Sequence, residues 1–242
     1  MAPDQAGSDA AARRIDVAPH RLSRWIESFA ERHGAVSAES DGATVTFLAA
    51  DGSVALCQVP FPPLAVEAPA GEPVPVGGTG PAGLAERIAA HAMADRTVGV
   101  LLVRLGGYAA GVFTGTEPAL AASKVGSRLV HGRSAAGGTS QRRFARRREN
   151  QAHQALAAAA DTAAAVFGPY AGRLDAVVLG GDRRSIAGIR DDARLAPYFA
   201  LAVDAFLTVP DPRLAVLAGT PRLFRAVRIT LTEHSPDRSQ NP

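Results

Sequence analysis

The spacing of apolar residues in the first quarter of the chain predicts one helix and one β-hairpin. Over residues 20–33 the apolar side chains recur at helical spacing, which predicts an amphipathic helix that ends near Gly34. Two strand-like runs follow, 44–49 and 53–60, and Asp51-Gly52 between them is a strong hairpin signal. Residues 1–16 have no such periodicity, so we expect a loose tail there.

The rest of the chain alternates strand-like and helix-like patterns. The predicted elements are, in order, a helix over 83–95, an apolar strand over 97–105, a strand over 108–114, an element of either type over 123–131, a long helix over 141–167, a buried strand over 175–179 and a strand over 214–217. After Thr220-Pro221 the signals conflict, because these two residues favour a helix start whereas Val227 and Ile229 favour a strand. Strands that alternate with helices predict an α/β fold.

A Pro- and Gly-rich stretch separates the two parts of the chain. Residues 61–82 have the composition of a linker or surface crossing. We therefore expect an N-terminal tail, helix and hairpin over 1–60, a linker over 61–82, a main domain over 83–235 and a short tail over 236–242.

Composition limits the cellular setting and the chemistry. Cys57 is the only cysteine, so no internal disulfide can form and a reducing compartment is expected. Residues 1–16 contain no apolar run that resembles a signal peptide, and no stretch approaches the roughly 20 apolar residues of a membrane span. The six histidines are scattered without metal-ligand spacing. These features predict a cytoplasmic protein with no membrane partner, no metal and no cofactor, and we also expect a monomer.

Positive charge is concentrated in one segment. Eight basic residues and no acidic residue lie between Lys124 and Arg148, although the net charge of the whole chain is only +3. The rest of the chain is therefore net acidic. A local basic segment on an otherwise acidic protein indicates one specific anionic partner.

Five of these basic residues are crowded into the first turns of the predicted helix 141–167. Cations are unfavourable at a helix N-terminus, and Arg142/Arg146 and Arg143/Arg147 are like-charge pairs one turn apart. Bound phosphate would relieve both conflicts, so RNA is the favoured partner. The alternative is a solvated charged face, which is the ordinary fate of a charge run.

Small residues precede these arginines. Gly137 and Gly138 allow the backbone to approach a substrate closely, although an ordinary flexible loop has the same composition. A second glycine pair, Gly180-Gly181, follows a buried strand and leads into Asp182. This is a usual place for a ligand loop, but it is more often a strand-to-helix turn.

The segment 137–146 reads Gly-Gly-Thr-Ser-Gln-Arg-Arg-Phe-Ala-Arg. It resembles the catalytic loop of archaeal and eukaryotic class I release factors, which reads Gly-Gly-Gln-Ser, two variable positions and Arg-Phe-Ala-Arg. Thr139 stands where that family has its catalytic glutamine, and Gln141 follows two places later. With its glutamine displaced in this way, the segment resembles that of the release-factor-like peptidyl-tRNA hydrolases of ribosome quality control, the VLRF group of the actinobacterial type.

The resemblance implies a fold, an activity and a site. The fold would be a mixed sheet with flanking helices, similar to the central domain of release factors, preceded here by the small N-terminal helix–hairpin extension. The implied catalytic residues are Gln141, Gly137, Gly138 and Ser140. The implied RNA-binding residues are Lys124, Arg128, Arg133, Arg142, Arg143, Arg146, Arg147 and Arg148.

The chemistry of Gln141 fits such a reaction. A side-chain amide does not titrate near neutral pH, so it cannot act as a general base, but it can orient water and donate a hydrogen bond to developing charge. The ester between the peptide and the terminal ribose of tRNA is already activated, so positioning of water can suffice.

The predicted function is a peptidyl-tRNA hydrolase that frees nascent chains from stalled large ribosomal subunits. The codon-reading and partner-binding domains of release factors do not fit in this length, so we expect action that is independent of a stop codon. The partners would be peptidyl-tRNA and the RNA of the large subunit. A non-catalytic RNA- or ribosome-binding module is the main alternative, and an unrelated small-molecule hydrolase is a third.

Overall fold

The computed structural model describes residues 12–65, 80–127 and 140–234, and for residues 140–148 it describes the backbone alone. The chain divides into two compact units. Unit 1 combines the chain up to Met93 with the residues from Arg225 onward, and unit 2 runs from Ala94 to Phe224.

Unit 1 is a five-stranded antiparallel sheet with two helices. Its elements are β1 (Arg13–Val17), α1 (Leu22–His33), β2 (Val36–Ser40), β3 (Thr44–Ala49), β4 (Val54–Gln58), α2 (Pro81–Met93) and β10 (Val227–Thr232). The strand order is β1-β10-β4-β3-β2. The alternation of apolar residues along β3, β4 and β10 directs one side of the sheet into a core with the apolar faces of α1 and α2.

Unit 2 is a mixed sheet with helices on its faces. Its elements are β5 (Val98–Arg104), β6 (Gly107–Thr114), β7 (Ala119–Ser127), α3 (Ser140–Phe167), β8 (Ala176–Gly181), α4 (Arg183–Ala187), α5 (Ala196–Ala200), β9 (Ala202–Leu207), α6 (Leu214–Ala218) and α7 (Pro221–Phe224). The strand order is β7-β6-β5-β8-β9, in which β6 is antiparallel to β5 and β7 whereas β8 is parallel to β5 and β9.

This pairing brings four strand ends together. Because β5 and β7 are both antiparallel to β6, they run in the same direction as β8 and β9. The C-terminal ends of β5, β7, β8 and β9 therefore lie along one edge of the sheet, which we call the carboxyl edge. Ligand sites in sheets with parallel strands are usually found at this edge.

Helix α3 covers one face of the unit 2 sheet. Ala159, Ala160, Ala163 and Phe167 are buried against the sheet, and the ring of Phe167 lies 3.2 Å from the position that a β-carbon would take at Gly99. Gly99 is at the start of β5, so the C-terminus of α3 lies at the edge opposite the carboxyl edge. On the other face of the sheet, a side-chain atom of Leu217 in α6 lies 2.9 Å from the position that a β-carbon would take at Gly111.

The predicted fold class is confirmed. A mixed sheet with flanking helices is present, together with an N-terminal helix and hairpin, and the long helix and the strands that flank residues 106–107 lie where the periodicity predicted them. The element of undecided type over 123–131 is a strand as far as Ser127, and its last residues lie outside the described ones.

Several element predictions were wrong. Residues 214–217 belong to helix α6 rather than to a strand, because Ala215 and Ala218 of α6 favour a helix and Leu217 packs against β6. The predicted tail contains β1, which gains its hydrogen bonds from β10. After Thr220-Pro221 the helix signal and the strand signal were both correct, since the short helix α7 is followed by strand β10.

The units differ from the predicted domain boundaries at two elements. Helix α2 and strand β10 were assigned to the main domain, but α2 packs with α1 and β10 lies between β1 and β4. In the predicted linker, Phe61 and Leu64 are buried, whereas residues 66–79 lie outside the described residues.

Candidate functional site

The predicted catalytic segment connects β7 to α3. Strand β7 ends at Ser127 and α3 begins at Ser140. Arg128, Arg133, Gly137 and Gly138 lie between them, outside the described residues, so their roles stay predictions. The two flanking elements nevertheless fix where the segment begins and ends in unit 2.

The other predicted catalytic positions and most predicted RNA-binding positions lie on the first turns of α3. The helical backbone includes Ser140, Gln141, Arg142, Arg143, Arg146, Arg147 and Arg148, and no acidic residue lies in the first turn. A helix of 28 residues is about 42 Å long, whereas the seven residues of β5 span about 23 Å. Because the C-terminus of α3 lies at the opposite edge, its first turns extend past the carboxyl edge.

The arginine-rich turns are also distant from the hydrophobic core along the helix. Glu149 and Asn150 are exposed, and the first buried residue after them is Ala155. The axial rise from Gln141 to Ala155 is about 21 Å. Among the α3 residues whose side chains are described, burial therefore begins at Ala155, in the second half of the helix.

Lys124 is the one predicted RNA-binding residue whose side-chain exposure is known. It is exposed on β7 and pairs in register with Ala110. Ala122, two residues earlier, packs against the core beneath α3, so the alternation of the strand places Lys124 on the same face of the sheet as α3.

A tight contact lies at the base of the segment and was not predicted from the sequence. Tyr108 of β6 pairs in register with Gly126, and a β-carbon at Gly126 would lie 2.5 Å from atoms of the Tyr108 ring. Only glycine leaves room for this ring one residue before the end of β7. A glycine inside a strand pattern was the available signal.

The glycine pair at the end of β8 leads into a strand-to-helix turn at the carboxyl edge. A β-carbon at Gly181, whose φ is 97°, would overlap the carbonyl group of Val103. The backbone N–H of Asp182 donates to that same carbonyl oxygen at 2.7 Å. This close approach of β8 to β5 explains the glycine.

Asp182 acts as the N-terminal cap of α4. Its carboxylate accepts hydrogen bonds from the backbone N–H groups of Arg184 at 3.2 Å and Ser185 at 3.1 Å, and from the Ser185 hydroxyl at 2.7 Å. The hydrogen bond from the Ser185 side chain is the main cause that lowers the pKa of Asp182. A carboxylate held ionised in this way has a capping role rather than that of a general acid.

Arg104 lies beside this turn at the end of β5. Its Nη1 donates to the carbonyl oxygen of Val209 at 2.7 Å, and its Nε lies 3.7 Å from a carboxylate oxygen of Asp211. The side chain is 41% exposed. Sequence analysis did not single out Arg104, because its partners are more than a hundred residues away along the chain.

Arg183, the first residue of α4, stacks on an aromatic ring. The guanidinium carbon lies 4.3 Å from the centroid of Phe206 on β9, and Arg183 is exposed. The carboxyl edge therefore carries Arg104, Arg183 and Arg184 in addition to the residues predicted from the sequence.

Two absences concern the described residues alone. Across 12–65, 80–127 and 140–234 no group of three or more His, Cys, Asp or Glu side chains is arranged to hold a metal ion. Within the same residues no helix is both long and apolar enough to cross a membrane.

The fold and the segment define a release-factor-like protein, and the comparison with protein families agrees. The family model described as "Actinobacteria/chloroflexi VLRF1 release factor" matches residues 96–230, which is more than half of the chain. The chain belongs to this family, and the resemblance to the VLRF group is confirmed. Its function is therefore related to translation.

Two solved structures resemble this chain distantly. An archaeal protein matches at 14% identity with a TM-score of 0.34 over 71% of this chain and 47% of its own length, so the chain spans about half of that protein. The archaeal translation termination factor aRF1 matches at 10% identity with a TM-score of 0.37, over 89% of this chain and 67% of its own length. Such low TM-scores carry no functional argument. No curated protein sequence matches the chain.

Proposed function

We propose that this chain is a cytoplasmic peptidyl-tRNA hydrolase that frees nascent chains from stalled large ribosomal subunits without reading a stop codon. The observation that carries the proposal is that the segment 137–146 lies inside the residues matched by the release-factor family. The same segment joins the end of β7 to the first turns of α3.

The reaction is hydrolysis of the ester between the peptide and the terminal ribose of tRNA. In the proposed mechanism the Gln141 amide orients a water molecule for attack on the ester carbonyl carbon. The Gln141 N–H and nearby backbone N–H groups stabilise the oxyanion that develops. Gly137 and Gly138 would allow close approach of the backbone to the ester, and Ser140 follows them at the start of α3.

We assign binding and chemistry to different residues of this region, with basic residues on both sides of positions 137–141. The arginines of α3, with Arg128, Arg133 and Lys124, would hold RNA phosphates, which compensates the like-charge crowding at the helix start. The exposed Lys124 supports this part of the proposal, because it lies on β7 on the same face of the sheet as α3.

The test is release of labelled peptide from purified stalled large subunits. Wild type is compared with Gln141→Ala and with Gln154→Ala, a matched control that removes an exposed glutamine from the same helix. We expect wild type and Gln154→Ala to release peptide, and Gln141→Ala to bind the subunits normally while releasing peptide about 100-fold or more slowly.

Two other results would change the assignment. If wild type binds the subunits but releases no peptide, the arginine-rich helix serves a non-catalytic RNA-binding module. If Gln141→Ala releases peptide at the wild-type rate, the reaction stands and Gln141 is not the catalytic residue.

A further inference from the structure

We propose that Arg183, stacked on Phe206, is a second RNA contact, which binds an unpaired nucleotide of the RNA held by the arginines of α3. The proposal rests on RNA being the partner, as in the proposed function, but it concerns described side chains of β8, α4 and β9. It names a specificity-determining residue outside the segment that matches the release-factor motif.

The arginine and its aromatic platform are held rigidly. Arg183 follows Asp182 after the glycine pair that ends β8, where a β-carbon at Gly180 would lie 2.7 Å from the carbonyl oxygen of Leu207. Phe206 pairs in register with Leu179 in the neighbouring strand. Close packing of β8 against β9 therefore positions the backbone from which both side chains extend.

The stacking prepares the guanidinium for a planar ligand. The guanidinium carbon of Arg183 lies over the Phe206 ring, 4.3 Å from its centroid, and Arg183 is exposed to solvent. Nucleobases of single-stranded RNA stack on arginine planes as they do on aromatic rings, and the N–H edge of the same guanidinium can donate to phosphate. A lysine in this place would keep the charge but lose the plane.

The surrounding charges favour stacking over a purely electrostatic contact. Asp182 is engaged in its cap, and Asp211 lies against Arg104, so neither pairs with Arg183 through a salt bridge seen in the described residues. Asp204 is exposed two residues before Phe206 on β9 and reduces the local positive field. The distinctive property of the Arg183–Phe206 pair is therefore its planar guanidinium rather than a high local density of positive charge.

The position relative to the predicted catalytic segment is suitable for one RNA. The segment leaves the carboxyl edge from β7, and Arg183 lies at the same edge beside β8, three strands away in the sheet. At about 4.8 Å per strand this separation is about 14 Å. A short unpaired stretch of RNA can contact both places.

The same sheet offers a matched control at its opposite edge. Arg173 stacks on Tyr170 with its guanidinium carbon 4.8 Å from the ring centroid. These residues lie between the end of α3 and the start of β8, away from the carboxyl edge. The Arg173 Nη2 donates to the carbonyl oxygen of Pro169 at 2.6 Å, so this pair has an internal structural role.

The experiment measures binding of the full chain to a fluorescent RNA hairpin with an unpaired 3′ overhang and to the same hairpin without the overhang. We expect Arg183→Lys to weaken binding of the overhang RNA about tenfold, which is the loss of about one stacked base. The blunt hairpin should bind to wild type and to Arg183→Lys equally, and Arg173→Lys should match wild type on both RNAs.

A second pair of variants separates stacking from charge and folding. Phe206→Leu should reproduce the loss seen with Arg183→Lys, since it removes the platform and keeps the arginine. Arg183→Lys should leave the salt dependence of binding unchanged, whereas Arg183→Gln should reduce the slope by roughly 0.7 because one phosphate contact is lost.

Three results would overturn the proposal: equal binding of overhang RNA by wild type and Arg183→Lys, an equal loss on the blunt hairpin, or the same loss in Arg173→Lys. Its failure is distinguishable from failure of the proposed function, because the binding assay requires no hydrolysis. Normal peptide release with no effect of Arg183→Lys removes this contact alone, whereas absence of peptide release by the wild type leaves the RNA-binding result intact.

Discussion

At Gly181 the chain leaves β8 with a φ of 97°, and a β-carbon there would overlap the carbonyl group of Val103. Gly181→Ala should therefore lower the free energy of unfolding by at least about 3 kcal/mol, since it combines backbone strain with a clash against the main chain. Gly172→Ala is the matched control, because φ is 76° but no atom lies within 4 Å of the added methyl group. It should cost only about 1 kcal/mol.

Chemical denaturation of both variants measures these costs. An equal loss in Gly181→Ala and Gly172→Ala would mean that the β5–β8 contact moves apart easily, and that the positive φ alone selects glycine at position 181.

Asp51 makes the stability of unit 1 depend on pH. Its carboxylate accepts hydrogen bonds from the backbone N–H of Ser53 at 2.8 Å and from Nδ1 of His33 at 2.8 Å, and these interactions lower its pKa from 3.8 to about 2. A lowered carboxyl pKa stabilises the fold above the unfolded value, and this contribution disappears as the pH falls through the folded value. The relevant window therefore runs from about pH 4 down to about pH 2.

We expect Asp51→Asn to be less stable than wild type above about pH 4, and this difference should shrink as the pH falls toward about 2. Denaturation with urea at a series of pH values measures the difference. Asp204→Asn, which removes an exposed carboxylate from β9, controls for the change in net charge. A difference between Asp51→Asn and wild type that stays constant across the window would contradict the assignment.

At the scale of elements, Asp182 caps the N-terminus of α4 at the carboxyl edge. Asp182→Ala removes the acceptor for two backbone N–H groups and one hydroxyl, so it should lower the free energy of unfolding by about 1–2 kcal/mol. Asp182→Asn retains one acceptor oxygen and should lose roughly half as much. Equal losses in the asparagine and alanine variants, measured by chemical denaturation, would show that the negative charge, rather than the hydrogen bonds, carries the effect.

Elements with strong periodic patterns could be predicted from the sequence. Helix α1, the hairpin at Asp51-Gly52 and the long helix α3 all follow from apolar spacing, capping residues and turn residues that are local in the chain. Such signals do not require knowledge of the partner element. This is why the helix start that carries Gln141 was located correctly.

Edge strands and short apolar runs could not be predicted in this way. Strands β1 and β9 each lie at the edge of a sheet, and β2, with the sequence Val-Ser-Ala-Glu-Ser, has weak alternation. Their hydrogen-bonding partners determine these strands. The same limit applies to the site, because Arg183 and Phe206 meet only after β8 and β9 have paired.

At the scale of the whole molecule, unit 1 is built from both ends of the described chain. Strand β10 pairs with β1 on one side and with β4 on the other, so it is an inner strand of the sheet. Val227, Ile229 and Leu231 of β10 are buried in the core of unit 1. Unit 2 is continuous in sequence and has its own core beneath α3.

This arrangement predicts different behaviour for two fragments. Residues 94–224 alone should fold with dispersed amide resonances, because all strands and helices of unit 2 are present. Residues 12–93 alone should stay unfolded, because without β10 the remaining strands cannot form the sheet continuously and part of the core is missing. A fragment of residues 12–93 joined to residues 225–234 through a flexible linker should recover the fold of unit 1. If the fragment 12–93 folds without β10, that strand is an addition to an already stable unit rather than a required inner strand. If the fragment 94–224 fails to fold, the two units depend on each other for stability.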